Sequence, residues 1–217
     1  MSEAERETPV FDADFRARFE TLLAWRRDVR RFRRDPPPED LVEHLLTLAA
    51  RAPSVGLSEP WRFVLVESAD RRAAVRASFQ RCNEAALAGY EGEKAKLYAG
   101  LKLSGLEDAP VHLAVFAEED PDQGAGLGRQ TMPETVRYSV VSAIQTLWLA
   151  ARAHGVGLGW VSILEPEAVA RACNAAADWI LIGYLCLGYP ERESETPELQ
   201  QAGWEERRAA AARIFRV

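Results

Sequence analysis

Cysteine, histidine and methionine are scarce in this chain, at three, three and two among 217 residues. Cys82, Cys173 and Cys186 are far apart and form no CxxC, which excludes a disulfide framework and a cysteine-rich zinc site. Cys173 and Cys186 are expected to be buried small hydrophobes. His44, His112 and His154 fall on separate predicted elements with no pair at ligand spacing, so no metal site is expected. No apolar run is long enough to span a bilayer, so no membrane partner is expected. Excess positive charge is also lacking: 27 Lys and Arg stand against 33 Asp and Glu, for a net charge of −6. A nucleic-acid binder would carry a broad basic surface, so nucleic acid is ranked low as a partner. The opening MSEAERETPVFDADF has no apolar core, and no signal peptide is expected. Also missing are a GxGxxG opening a helix, a P-loop and a GxSxG. The expected setting is soluble, reducing and cytoplasmic.

Against that background, WRRDVRRFRRDPPP holds six arginines between Arg26 and Arg34, with Asp28 among them. Such a run is usually solvated, and that reading suits Arg31, Arg33 and Arg34. Arg26, Arg27 and Arg30 lie where a helix gives way to extended chain, so their guanidinium forks can converge on a phosphate.

The periodicity predicts a helix over 11–25, with Phe15, Phe19, Leu22 and Leu23 on one face, and a second from Pro38 to near Arg51. RFVLVE reads as a strand and 68–80 as a helix capped by Ser68 or Asp70. Residues 80–105 are charged, alanine-rich and glycine-punctuated, which predicts mobile helical pieces. VHLAVFA is a strand, and GAGLG (124–128) reads as a flexible loop. The strongest helix is predicted over 134–154, with Val136, Val140, Ile144, Leu147 and Ala151 in a stripe that Val141 and Trp148 widen. VGLGWVSIL and WILIGYLCLGY read as strands joined by a helix over 165–174. A short helix is expected within GWEERRAAAARIF. Helices interleaved with four or five strands and unequal connections argue for an α+β fold in a single domain over 1–217.

Two more stretches carry candidate chemistry. APSVGLSEPW (52–61) exposes backbone N–H groups that can meet a planar ligand or phosphate. Gly155, Gly157 and Gly159 alternate before Ser162 and permit close backbone approach. Each alone has an ordinary explanation, a loop and a satisfied strand serine.

In this order, RRDVRRF, APSVGLSEPW, GVGLGWVSIL and YLCLGYP resemble the FMN-dependent nitroreductase family, from about Leu22 to the C-terminal segment. Ordinary members read Arg-Arg-Ser-x-Arg-x-Phe in the first motif. Asp28 in the serine slot, with VSIL downstream, resembles the branch that makes 5,6-dimethylbenzimidazole, the lower ligand of cobalamin. The resemblance implies a mainly antiparallel sheet flanked by helices in an intertwined homodimer with two interface FMN sites. Arg26, Arg27, Val29 and Arg30 would hold the phosphate and ribityl chain. Pro53, Ser54, Val55, Gly56 and Ser58 would reach the flavin from the partner subunit. Gly159, Trp160, Val161 and Ser162 would lie along the ring near N5. Lys102 would be a further flavin contact, Arg207 or Arg208 would add phosphate charge, and 80–105 would be a lid.

That branch consumes its flavin: reduced FMN, supplied by a separate NAD(P)H-dependent reductase, reacts with O2 to give dimethylbenzimidazole and erythrose 4-phosphate. Asp28 is then expected to face the ribityl or ring end as a general acid or base, kept ionised by the arginines, with Ser162 fixing the N5 edge. The rivals are an NAD(P)H-dependent nitroreductase with an open pocket and a flavin-binding module without turnover.

Overall fold

The computed structural model describes residues 8–102 and 105–217. The predicted opening residues 1–7 and Leu103–Ser104, inside the expected lid, lie outside that description. Helix α1 (Ala13–Trp25) starts at Asp12, whose Oδ1 accepts from the Phe15 N–H at 2.8 Å. None of its residues is buried: Phe15, Phe19 and Leu23 remain 48%, 43% and 44% exposed. Helix α2 (Glu39–Ala49) begins after Pro38, where a missing N–H costs nothing, and buries Val42, Leu45 and Ala49.

Four strands, β1 (Trp61–Leu65), β2 (Val111–Glu118), β3 (Gly157–Val161) and β4 (Trp179–Gly188), form one antiparallel sheet in the order β1-β2-β4-β3. Its two faces are covered separately. Leu113, Val115, Leu158, Leu185 and Leu187 pack with α2 and with α5 (Thr135–Ala153). Ala114, Phe116, Tyr184 and Cys186 pack under α3 (Ala69–Ala88) and α6 (Pro166–Cys173). Burial on both faces explains why β2 and β4 read as continuous apolar runs rather than alternating ones.

The α5 stripe is buried throughout, whereas Val141 points outward at 41% exposure. Helix α3 runs eight residues beyond the expected end at Gln80, because Ala85, Ala86 and Ala88 sustain it until Gly89. Ser68 is its N-cap position but makes no side-chain capping bond. Helix α4 (Gly92–Gly100) completes the 80–105 region. The expected tail helix within 203–215 does not form. Instead α7 (Glu198–Gln201) stops in a Schellman turn: Gly203 has φ 72°, its N–H donates to Gln200 O, and Trp204 N–H donates to Leu199 O at 2.8 Å. A 3-10 turn (Ala210–Arg213) is the only later helical piece among the described residues.

His112 is buried beneath α3, with Nδ1 3.0 Å from the Tyr184 hydroxyl. Burial first, then the charge of Arg72, lowers its pKa to about 4. His44 and His154, distant in sequence, meet edge-to-face at 5.7 Å. Among the described residues no third His, Cys, Asp or Glu joins them as a metal site. No helix of the described residues is long and apolar enough to cross a membrane.

Candidate active site

Arg26 caps α1, its N–H donating to Leu22 O at 3.0 Å, and there the chain turns extended. Residues 28–29 then pair with the free edge of β3, and residues 31–33 pair with the chain just past β4. Asp28 forms a parallel bridge with Leu158, Val29 N–H donates to Leu158 O at 3.0 Å, and Phe32 bridges Pro190. The alternating glycines permit this. A Cβ on Gly159 would stand 2.0 Å from Val29 O, and one on Gly157 would stand 2.8 Å from Val29 Cγ2. The close approach that the glycines allow is therefore used by the chain's own arginine segment.

Asp28 turns inward rather than presenting both oxygens to a ligand. Its Oδ1 accepts from the Trp160 backbone N–H at 2.9 Å, and its Oδ2 accepts from Arg30 Nε at 3.1 Å. The side chain stays 34% exposed. The arginines divide as expected. Arg26, Arg27 and Arg30 are half-buried, while Arg31, Arg33 and Arg34 are exposed and paired with Glu198, Asp35 and Asp108. Arg30 Nη1 is buried with no hydrogen-bond partner. Burial first, and then the Arg207 guanidinium, push Arg26 below the ordinary arginine range, with Asp28 acting the other way. Arg27 shifts in the same direction through burial, Arg207 and Arg26. Arg207 itself is exposed.

The positively charged groups outnumber their counter-charges here. Among the described residues no ion pair includes Arg26, Arg27 or Arg207. A cleft of about 150 Å³ lies beside Arg27 and Arg30, where Arg31 and Arg192 also line it together with the carboxylates of Glu191 and Glu198. A larger groove, about 680 Å³, runs along α1 past Phe15, Phe19 and Leu22. Its lining is mainly apolar and its Arg152 is already paired with Glu193, so the arginine cleft is the candidate for an anion.

The other expected site residues divide. Trp160 and Val161 end β3 beside Asp28, and Ser162 follows, exposed and without a hydrogen bond to another described residue. Lys102 is held by Asp108 at 2.8 Å, a bond that keeps the Asp108 carboxyl below its usual range. Pro53–Ser58 sits elsewhere. Val55 N–H donates to Ser139 Oγ, Gly56 packs on the backbone of Gly124 and Leu127, and Ser58 Oγ is buried without a partner. The GAGLG loop is therefore docked on this one. No hydrogen bond or ion pair among the described residues joins Pro53–Ser58 to Arg26, Arg27 or Arg30.

Two contributors were not anticipated. Trp148, read as core, donates its indole N–H to Arg27 O at 2.9 Å and lies 4.9 Å under the Arg26 guanidinium. A buried indole needs a partner for its N–H, which is the signal that could have found it. Ser194 accepts from Arg27 Nε at 3.0 Å through its backbone oxygen, which no side-chain pattern reveals.

The model of the nitroreductase family matches residues 23–189, from the end of α1 to just past β4. The chain belongs to the nitroreductase family. It is 54% identical over 203 residues to a 5,6-dimethylbenzimidazole synthase of Rhodospirillum rubrum, covering 94% of this chain and 96% of that one. A second protein of that name, from Rhodobacter capsulatus, is 48% identical, with 90% and 95% covered. Among solved structures, iodotyrosine deiodinase bound to FMN and 3-iodo-L-tyrosine superposes with a TM-score of 0.68 at 26% identity, covering 81% of this chain and 91% of that one.

Proposed function

We propose that this family member is a 5,6-dimethylbenzimidazole synthase that fragments reduced FMN with O2 as co-substrate. The observation that carries the reading is the likeness to synthases at 54% identity across nearly the whole chain. The residues suit the flavin. Three arginines without ion pairs and the orphaned Arg30 Nη1 need an anion with several acceptor oxygens, which the FMN phosphate provides.

Reduced FMN supplies the electron-rich ring that O2 attacks and the ribityl carbon that ends in the benzimidazole. Arg26, Arg27, Arg30 and Arg207 bind the phosphate end. Val29, Trp160 and Val161 form the wall along the flavin, and Trp148 keeps the arginine backbone in place. A carboxylate has about four lone-pair sites, and the Trp160 N–H and Arg30 use two of those of Asp28. Its open third can therefore still take or return a proton on the ligand side. Ser162, with its hydroxyl unengaged, donates to the N5 edge.

The cleft of about 150 Å³ is below the roughly 300–1,000 Å³ of small-molecule sites, so one chain builds only part of the pocket. A second copy completes it in a homodimer. The uncovered α1 face supplies apolar contact area, and the partner's Pro53–Ser58 loop supplies the missing wall. Lys102 joins the flavin once it exchanges Asp108 for the ligand. The free thiols Cys82, Cys173 and Cys186 suit a reducing cytoplasm, where a separate NAD(P)H-dependent reductase furnishes the reduced flavin.

Mass spectrometry of the products from reduced FMN and air tests the reaction, with dimethylbenzimidazole expected. Oxidised FMN and hydrogen peroxide alone would exclude it and favour a flavin-binding module. Rapid NADPH turnover with retained yellow FMN would favour a conventional nitroreductase. A monomer by light scattering at micromolar concentration would overturn the shared site.

A further inference from the structure

The segment from Ser194 to Arg207 touches two places at once. At its start Ser194 O accepts from Arg27 Nε, while Gln201 Nε2 donates to Ser194 Oγ at 2.7 Å and to Thr196 O at 3.0 Å. Glu198 pairs with Arg31 at 3.3 Å. This half is tied to the arginine segment. After the turn at Gly203, Trp204 enters an aromatic cluster on the other side. Its ring lies 5.6 Å from Tyr90 and 6.1 Å from Tyr98. Lys94 of α4 lies 3.8 Å over that ring and donates to Trp204 O at 3.2 Å. Tyr98, also on α4, is buried, and its hydroxyl donates to Asn83 of α3 at 3.0 Å. The ring thus holds α4 to the C-terminal segment. Three residues later comes Arg207, whose charge reaches Arg26 and Arg27.

We propose that Ser194–Arg207 is a strap through which the phosphate end of the flavin sets the position of α4, with Trp204 as the positioning residue. The inference rests on the flavin reading above and adds a specificity to it: the ordering of α4 depends on the phosphate, so FMN orders it and riboflavin does not. The physical driver is charge. Without an anion the guanidiniums of Arg27 and Arg30, which share the cleft wall, repel one another. A phosphate in the cleft converts that repulsion into charge-assisted hydrogen bonds with Arg27 and Arg30 and draws the Ser194–Gln201 wall inward. Trp204 is on the same short stretch, so that movement is transmitted to Tyr90, Lys94 and Tyr98. A ligand shifts this equilibrium only through its different affinity for the two arrangements, and the strap residues Ser194, Thr196 and Gln201, which wall the cleft opposite Arg27 and Arg30, supply that difference.

The test is amide hydrogen exchange of the full chain, read in α4 with no ligand, with inorganic phosphate, with oxidised FMN and with riboflavin. Phosphate and FMN are expected to slow exchange in α4, and riboflavin to leave it unchanged. Trp204→Ala should speed α4 exchange about tenfold in the free chain and abolish the response, while α5 exchange is unaltered. Trp204→Phe should restore the response, since it keeps the ring. Lys94→Met alters an exposed side chain, does not endanger folding, and should weaken the response several-fold. Equal slowing by riboflavin and FMN would overturn the proposal, as would an α4 response that survives Trp204→Ala or is unaltered in Lys94→Met. No turnover is involved, so a failed synthase assay leaves this measurement standing by itself.

Discussion

Replacing Asp28 with Asn removes one charge and exchanges one oxygen for an amide. In the native chain the two carboxylate oxygens meet two donors, the Trp160 backbone N–H at 2.9 Å and Arg30 Nε at 3.1 Å. Asparagine has one acceptor oxygen, so its NH2 must face one of those donors. The backbone N–H of β3 is fixed, and the oxygen stays there. Arg30 then loses its anchor while its Nη1 already lacks a partner. A hydrogen bond to a charged group contributes about 1.5–3 kcal/mol. The lower part of that range applies, because Asp28 is a third exposed. FMN affinity should fall about tenfold. Beyond that, benzimidazole formation at saturating reduced FMN should fall by about 10²-fold or more, the usual worth of a positioned acid or base. Flavin oxidation by air should continue. Asp28→Ser should behave alike, since the two donors meet two separate carboxylate oxygens and serine has one oxygen on a shorter side chain. Two measurements separate binding from chemistry: FMN titration, and product yield at saturation. A near-wild-type yield in Asp28→Asn once flavin saturates would remove Asp28 from the chemistry and leave it as the anchor of Arg30.

The other predictions concern the scaffold. Gly159→Ala would drive a methyl group to 2.0 Å from Val29 O, so the arginine segment must leave the β3 edge. Unfolding in denaturant should show a loss of about 3 kcal/mol, the upper end for overpacking, together with lost flavin binding; unchanged values would refute the close approach. For His112, the unfolded imidazole takes a proton below its ordinary 6.5, whereas the folded one does so only near 4. Its neutral burial therefore stabilises the fold fully above pH 6.5, and that contribution is lost as the pH falls towards 4. The full window is worth about 3 kcal/mol, and His112→Gln should flatten the stability profile between those pH values.

Much of the scaffold was legible because the sheet and α5 are buried enough to write their period into the sequence. The α5 stripe from Val136 to Ala151 and the apolar runs of β2 and β4 are examples. The division of the arginines was legible too, since the helix end at Trp25 fixes which of them turn inward. Other features depend on contacts between distant residues. GWEERRAAAARIF has good helix formers, yet the Schellman turn at Gly203 and the docking of Trp204 override their propensity. The alternating glycines read correctly as a place of close approach, but nothing local said that the visitor would be Val29. The inward turn of Asp28 was hidden for the same reason, because its partner Trp160 lies 132 residues away.

On the proposed reading the arginine segment is at once a ligand grip and the border of the sheet. Whatever seizes Arg27 and Arg30 also fastens the edge of β3, so occupancy and folding are thermodynamically linked. A ligand at one hundred times its dissociation constant adds about 2.7 kcal/mol to the folded state. A catalyst that returns its cofactor keeps that reinforcement indefinitely. A chain that destroys the flavin it holds forfeits it at every cycle. Between cycles its border must be maintained from within, by the indole of Trp148 on the Arg27 carbonyl and the Asp28–Trp160 bond. These contacts are what let the empty enzyme wait for its next molecule.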